Sequence, residues 1–257
     1  MRRSLPATAA RTIRRAVTWR PKSPGREVID IDWLISPLRY DVHIRAAMFQ
    51  SIATRPAEEP LEDFLTRSET HPYVVWFRHI EAARFRPWLL KDEVALIADY
   101  RERVRKAVDT FASFSTTGYD TRFPVTLRST RGEQTTDTAL PFGRSLHVGD
   151  GGHRLALLLR TGSALEPAMY RVDPRPRPVL DNTSILLRHL PLSEADYVAF
   201  VAPGYLSGAG ATGLDTVDAL EKAVAEQAPE RITELRRIVD AHERARSAYQ
   251  SSGGNHG

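Results

Sequence analysis

Between Leu146 and Thr161 the chain passes from the alternating segment Leu146-His147-Val148, through Gly149-Asp150-Gly151-Gly152, into the apolar run Leu155-Ala156-Leu157-Leu158-Leu159. Alternation reads as a strand, paired glycines force a turn, and a one-sided apolar run followed by Gly162 reads as a helix. A strand, a glycine turn and a helix in that order place the chain in the mixed α/β class. They also mark where chemistry can sit. Two glycines let the backbone approach an anion, and the free amides of a helix N-terminus then point at it, so Gly149, Gly151 and Gly152 are candidate phosphate-binding positions. His153 and Arg154, in the first helical turn, add a proton-transfer group and a planar charged fork suited to phosphate oxygens. Asp150 can orient the histidine, hold a metal ion or accept a substrate proton. The plainer reading of the same spacing is a tight turn capped by Asp150, with Arg154 a surface charge.

Around this segment the pattern is largely helical. Ser36-Pro37 reads as a helix start, with Leu38, Val42, Arg45, Phe49 and Ile52 following on one face. A short helical piece lies near Leu61 to Thr66. The run Tyr73-Val74-Val75-Trp76-Phe77 fits either a buried strand or a helical turn. From Lys91 to about Phe114, Val94, Ile97, Tyr100, Val104, Val108 and Phe111 recur at helical spacing behind the acidic Asp92 and Glu93. Phe123 to Leu127 and Pro167 to Val172 read as strands, separated from their neighbours by the polar stretch Ser129–Thr138 and by the Pro/Arg run 173–178. Ser193 begins a further helix, and two more follow Asp215 and Pro229.

The chain has 257 residues, 42% hydrophobic and 26% charged, which excludes a disordered or collagenous protein. It has no cysteine, which removes disulfides, thiolate nucleophiles and Cys-ligated metal centres. No apolar run is long enough for a membrane span, and no secretory h-region occurs, so a cytoplasmic protein is expected. The net charge of +4 hides an asymmetry: residues 1–26 carry eight basic side chains and no acidic one, and the remainder sums to −4. A basic tail on an acidic body argues against non-specific nucleic-acid binding by the body. The tail itself fits a disordered segment, a transit peptide or a phosphate-seeking arm.

Five pieces occur in a fixed order: the helix from Lys91, Phe123-Pro124-Val125-Thr126-Leu127, Leu146 through Leu157 with Asp150-Gly151-Gly152-His153-Arg154 at its centre, Gly162, and Glu166-Pro167-Ala168-Met169-Tyr170. Together they resemble the core of the ParB N-terminal/sulfiredoxin-like superfamily over roughly residues 91–175. The resemblance implies a small mixed sheet with a nucleotide-phosphate site at the glycine loop. Sulfiredoxins place a cysteine in that loop, and with no Cys here sulfinic-acid reduction is excluded. ParB partition proteins bind and hydrolyse CTP and clamp DNA, but carry a helix-turn-helix domain that residues 215–248 do not match. The loop looks more like the small-molecule kinase branch, which phosphorylates a hydroxyl compound. Phosphoryl transfer needs positioning, a carboxylate for the hydroxyl proton and usually Mg²⁺. That family takes the carboxylate from upstream, where Glu81, Asp92 and Glu93 are candidates, each equally readable as a helix-surface charge.

Other features are weaker. Gly208-Ala209-Gly210-Ala211-Thr212-Gly213 matches GxGxxG literally but lacks the strand before it, and reads as a mobile loop or a lid. His43, His71, His79, His147, His189 and His242 show no metal-ligand spacing. Arg175 and Arg177 suit an exposed anion-contacting loop or a solvated linker. The expected organisation is a disordered tail (1–26), a helical extension (27–70), a ParB/sulfiredoxin-like α/β (α+β) core (71–175), a helical segment (176–249) and a disordered end (250–257). The expected function is binding of a nucleotide (ATP, ADP or CTP) with Mg²⁺, and phosphoryl transfer to a small hydroxyl-bearing substrate or nucleotide hydrolysis, with Asp150 and His153 catalytic. A DNA-associated clamp switched by nucleotide and a non-catalytic interaction protein are the alternatives.

Overall fold

The computed structural model describes residues 23–129, 143–144, 146–175 and 179–253. Its four strands are β1 (Ser23–Pro24), β2 (Val125–Ser129), β3 (Leu146–Asp150) and β4 (Tyr170–Asp173). They form one mixed sheet in the order β1-β4-β2-β3. β2 runs parallel to β4, with Val125 opposite Tyr170 and Leu127 opposite Val172, and antiparallel to β3, with Leu127 opposite Val148. β1 pairs antiparallel with β4, so the sheet begins inside the segment expected to be a tail. Residues 1–22 lie outside the described residues, as do 130–142, which take in most of the polar stretch, 176–178 of the Pro/Arg run, which include Arg177, and 254–257 of the expected disordered end.

Helices flank the sheet. They are α1 (Ile31–Ile35), α2 (Asp41–Ala53), α3 (Leu61–Ser68), α4 (Pro72–Trp76), α5 (Ala83–Phe85), α6 (Glu93–Thr117), α7 (Gly152–Arg160), α8 (Asn182–Leu187), α9 (Glu194–Val201), α10 (Val217–Gln227) and α11 (Ile232–Gly253). A π-helical stretch, Phe77–Ala82, joins α4 to α5. The Tyr73–Phe77 run is thus helical, started by Pro72 and by the His71 ring accepting the Tyr73 amide at 3.0 Å. Asp92 caps α6 by accepting from the Ala95 amide at 3.0 Å, and Gly118, at φ 71°, ends it.

Two expectations about helix faces change. α2 begins at Asp41 rather than Pro37: Ser36 closes α1 instead, its amide donating to the Asp32 carbonyl, and its hydroxyl donates to the Val201 carbonyl at 2.8 Å. The buried stripe of α6 is Leu96, Tyr100, Val104 and Ala107, whereas Val94 is 81% exposed. Two apolar rows with helical spacing interleave on α6, and packing selects one. At the C-terminus, backbone helix continues through Gly253, four residues past the expected end of the helical segment.

One hydrophobic cluster runs from Ile29 to Ala245 and takes side chains from the expected extension, core and C-terminal segment alike. α7 lies at its centre, with Leu155, Ala156, Leu157 and Leu158 all buried, and α2 packs along it. A helix apolar on most of its circumference belongs inside a layered structure, and this placement fixes the glycine turn at its N-terminus.

Candidate functional site

Gly151 leads from β3 into α7 at φ 95°, a left-handed conformation that a side chain resists, and a Cβ there would meet the Val125 Cα at 3.1 Å. A Cβ on Gly152 would overlap the Arg45 guanidinium. The second glycine therefore exists for close approach. Arg45, on α2, is pressed against the first residue of α7, where the helix presents its partial positive charge.

Arg45 belongs to a buried charge cluster. Asp41 is fully buried and accepts from Arg39 at 2.8 and 3.0 Å and from Arg45 at 3.0 Å. Burial pushes the Asp41 carboxyl up, but Arg39, Arg45 and a hydrogen bond from Asn182 outweigh it and leave it at about 2. Two buried guanidinium groups thus share one carboxylate. The excess positive charge lies directly behind the N-terminus of α7, and Arg45 Nε has no hydrogen-bond partner there.

His153 points into an aromatic box. Its Nε2 lies 2.6 Å from the Tyr73 hydroxyl, and its ring meets Phe49, Tyr73 and Trp76 edge-on. Burial, then the Arg45 and Arg103 cations, hold the imidazole well below its ordinary pKa, while burial holds the Tyr73 phenol well above its own. Both groups are neutral near pH 7. The hydrogen bond between them runs from the phenol to Nε2 or from Nε2–H to the phenol oxygen, according to the imidazole tautomer. His153 is therefore a neutral hydrogen-bonding group, and the cationic role at this loop falls to the arginines.

Asp150 does not orient His153. Its exposed carboxylate accepts from the Gly151 amide at 2.7 Å and stands 3.9 Å from Arg154, closing the turn. Arg154 folds back, donating to the carbonyls of Phe123 and Pro124, the latter at 2.9 Å, and so ties α7 to the start of β2. Gly149 leaves room for the Arg128 side chain, which a Cβ would crowd at 2.7 Å.

A cleft of about 580 Å³ opens beside this turn, between α6, the 118–123 loop and the first turn of α7. Its volume lies in the range of small-molecule sites. Arg103, Lys106 and Arg154 line it with His153, and Phe114 and Phe123 supply aromatic surface, Phe123 being 63% exposed. The upstream acids considered from the sequence are committed elsewhere. Glu81 accepts from Arg103 and Arg86, Asp92 caps α6, and Glu93 pairs with Arg78 at 2.8 Å. Among the described residues, Asp109 on α6 faces the cleft and has no hydrogen-bond or ion-pair partner. The sequence offered one signal for it, an acidic side chain on the solvent side of an amphipathic helix within a few turns of the loop.

The remaining candidates are dispersed. His43 packs on Tyr40 and Phe200, His71 caps α4, His79 stacks on His189, His147 is buried within β3, and His242 bonds Tyr197 at 2.9 Å. Arg175 is held by the Asp173 carboxylate at 2.8 and 2.9 Å. The Gly208–Gly213 loop begins with a 3₁₀ turn, Gly208–Ala211, and lines a different cleft, so it is no lid over this one. Among the described residues no three metal-ligating side chains cluster, and no helix is long and apolar enough to cross a membrane. No protein-family model matches the chain, and no curated protein or solved structure does either.

Proposed function

We propose that this chain binds a nucleotide through its phosphates at the N-terminus of α7 and acts as a phosphotransferase on a small hydroxyl-bearing substrate, in keeping with its resemblance to the ParB/sulfiredoxin-like superfamily. The observation that carries the reading is the excess buried positive charge of Arg39 and Arg45 over Asp41, set behind the glycine-opened end of α7. Such an end attracts anions through free amides and the helix dipole, and a cation behind it deepens the attraction. Arg103 and Lys106 extend the positive field along the cleft wall, and Phe114 with Phe123 offers a face for a base.

In this reading the chain's own residues divide the work. The α7 amides and Arg45 fix a phosphate, the neutral His153 offers Nδ1 for a hydrogen bond, and Asp109 is the free carboxylate able to receive the acceptor's proton or to hold Mg²⁺. One carboxylate suits a magnesium ion bound mainly by phosphates and water, and that ion would neutralise charge on the transferring group. Asp150 and Arg154 shape the turn.

A thermal-shift series with ATP, ADP, CTP and GTP, each with and without Mg²⁺, tests the reading. A nucleotide at about 100 times its Kd adds about 2.7 kcal/mol, which in a chain of this size raises the midpoint by roughly 5–10 °C. Lys106→Ala, at an exposed position, should keep the unliganded midpoint and lose part of the shift. No shift with any nucleotide overturns the proposal.

A further inference from the structure

Six large hydrophobic side chains stand exposed among the described residues, and four of them, Phe85, Trp88, Leu90 and Val94, fall within ten residues of one another at the corner where α5 leads into α6. A 3₁₀ turn, Pro87–Lys91, forms that corner. Trp88 is 63% exposed and Phe85 60%. The exposure is built into the turn. Arg86 is held by the Glu81 and Asp99 carboxylates and lies over the Phe77 ring at 5.5 Å, and Leu89 packs against the core. With Arg86 and Leu89 committed to the protein, the neighbouring Phe85, Trp88 and Leu90 are left facing solvent. A 3₁₀ turn rises about 2 Å per residue, so the four apolar side chains are rooted within roughly 20 Å. Exposed apolar residues gathered this closely mark a contact site.

The charge left open beside them is positive. Arg84 and Lys91 are exposed and have no acidic partner among the described residues, while the nearby acids are engaged: Asp92 caps α6, Glu93 pairs with Arg78, and Glu81 and Asp99 hold Arg86. We infer that this corner docks on an anionic lipid bilayer, with Phe85, Trp88 and Leu90 entering the boundary between headgroups and acyl chains and Arg84 and Lys91 meeting the lipid phosphates. Tryptophan is favoured at that boundary, and arginine and lysine reach the headgroups on apolar stems. Docking of this kind needs no spanning helix. Other occupants fit the corner less well. A second copy of the chain, packed on it about a two-fold axis, would gather four unpaired cations in one interface with no free acid to receive them. A nucleic-acid strand would stack on Phe85 and Trp88 but gain nothing from the aliphatic Leu90 and Val94. A partner helix needs a groove, and Phe85, Trp88 and Leu90 line none of the principal clefts. The inference is independent of the nucleotide reading.

Co-sedimentation of the full-length protein with sucrose-loaded phosphatidylcholine vesicles, with and without about 30 mol% phosphatidylglycerol, tests it. The anionic vesicles should be bound about tenfold or more tightly than the neutral ones. Residues 1–22 are basic as well, so the decisive comparison is between variants that share them. The double variant Phe85→Ser, Trp88→Ser should lower the partition coefficient about tenfold or more, and Arg84→Gln and Lys91→Gln about fivefold each. The control Val28→Ser, at an exposed apolar position away from the corner, should leave it unchanged. Circular dichroism melting establishes that the variants are folded. Insertion has its own readout, because Trp88→Phe keeps the apolar surface: it should bind as the wild type does, yet lose most of the quenching of tryptophan fluorescence by brominated acyl chains, although Trp19, Trp33 and Trp76 remain. Equal affinity for neutral and anionic vesicles, binding that survives the Phe85 and Trp88 double variant, or equal quenching in the wild type and Trp88→Phe overturns the inference. Self-association or oligonucleotide binding through the same side chains, without vesicle binding, overturns it as well.

Discussion

Replacing Asp41 with Asn removes the single carboxylate that two buried guanidinium groups share. Breaking a buried ion pair by deleting one partner costs about 3–5 kcal/mol, because the remaining charge is left uncompensated, and here two charges are left. For a chain of this size that predicts a melting midpoint lower by roughly 6–20 °C. The neighbouring Arg45→Met should cost less, about 1–2 kcal/mol, because it leaves Arg39 and Asp41 as a neutral, doubly hydrogen-bonded pair and keeps the volume against Trp76, losing mainly the cation–π contact at 4.3 Å. Sulfate or phosphate should restore more stability to Asp41→Asn than to the wild type, since the variant has a larger buried positive charge beside α7 to neutralise. The wild type should also show acid linkage. Asp41 falls from 3.8 to about 2 on folding, so its contribution, on the order of 2 kcal/mol, is complete above about pH 4 and is lost as the pH drops through 2. Urea unfolding of the three proteins, with and without sulfate and from pH 2 to 7, measures all of this. If Arg45→Met destabilises as much as Asp41→Asn, or if sulfate fails to discriminate between them, the shared-carboxylate argument is wrong.

Three further outcomes follow from the site geometry. Tyr73→Phe removes the hydrogen-bond partner of His153 Nε2, so the ¹⁵N spectrum of His153 should change, with a stability loss of about 1 kcal/mol; an unchanged spectrum refutes the contact. Gly151→Ala forces a left-handed conformation on a residue with a Cβ, which would also press on Val125, and should cost about 1–2 kcal/mol in urea unfolding; an unchanged stability refutes the reading of this turn as glycine-dependent. Glu93→Gln breaks an exposed pair with Arg78 and should change stability by less than about 1 kcal/mol while leaving nucleotide binding intact; loss of binding would return Glu93 to the site.

The parts of the fold that were legible in the sequence are those fixed by neighbours in the chain. Ser193 before α9, Gly162 after α7 and the strand at Leu146 each follow from a cap, a stop or an alternation that needs no tertiary information. The parts that were not legible depend on partners distant in sequence. Ser36 resembles the start of a helix but closes α1, its hydroxyl donating to the distant Val201 carbonyl, and Val94 resembles core until Leu96 is seen to face inward. The glycine turn was visible, but the group behind it was not, although Arg45 stands on the apolar stripe of α2 four residues after Asp41. A charge in that position is a signal for a buried pair. Asp109 carried less information, since nothing local separates an unpartnered acid beside a cleft from the other acids along α6.

No residue of α7 is exposed: from Gly152 to Arg160 every position is buried or half-buried. Surface helices accept neutral drift on their polar side, and this one has no such side. Its tolerance to substitution should therefore be low along its whole length, and a saturation library scored for soluble yield should show nine consecutive restrictive positions, with no three- or four-residue rhythm of permissive ones. The turn that opens onto the cleft is thus anchored to a helix with no exposed position, so the site can change its chemistry more readily through the α6 wall and the 118–123 loop than through the element that aims it.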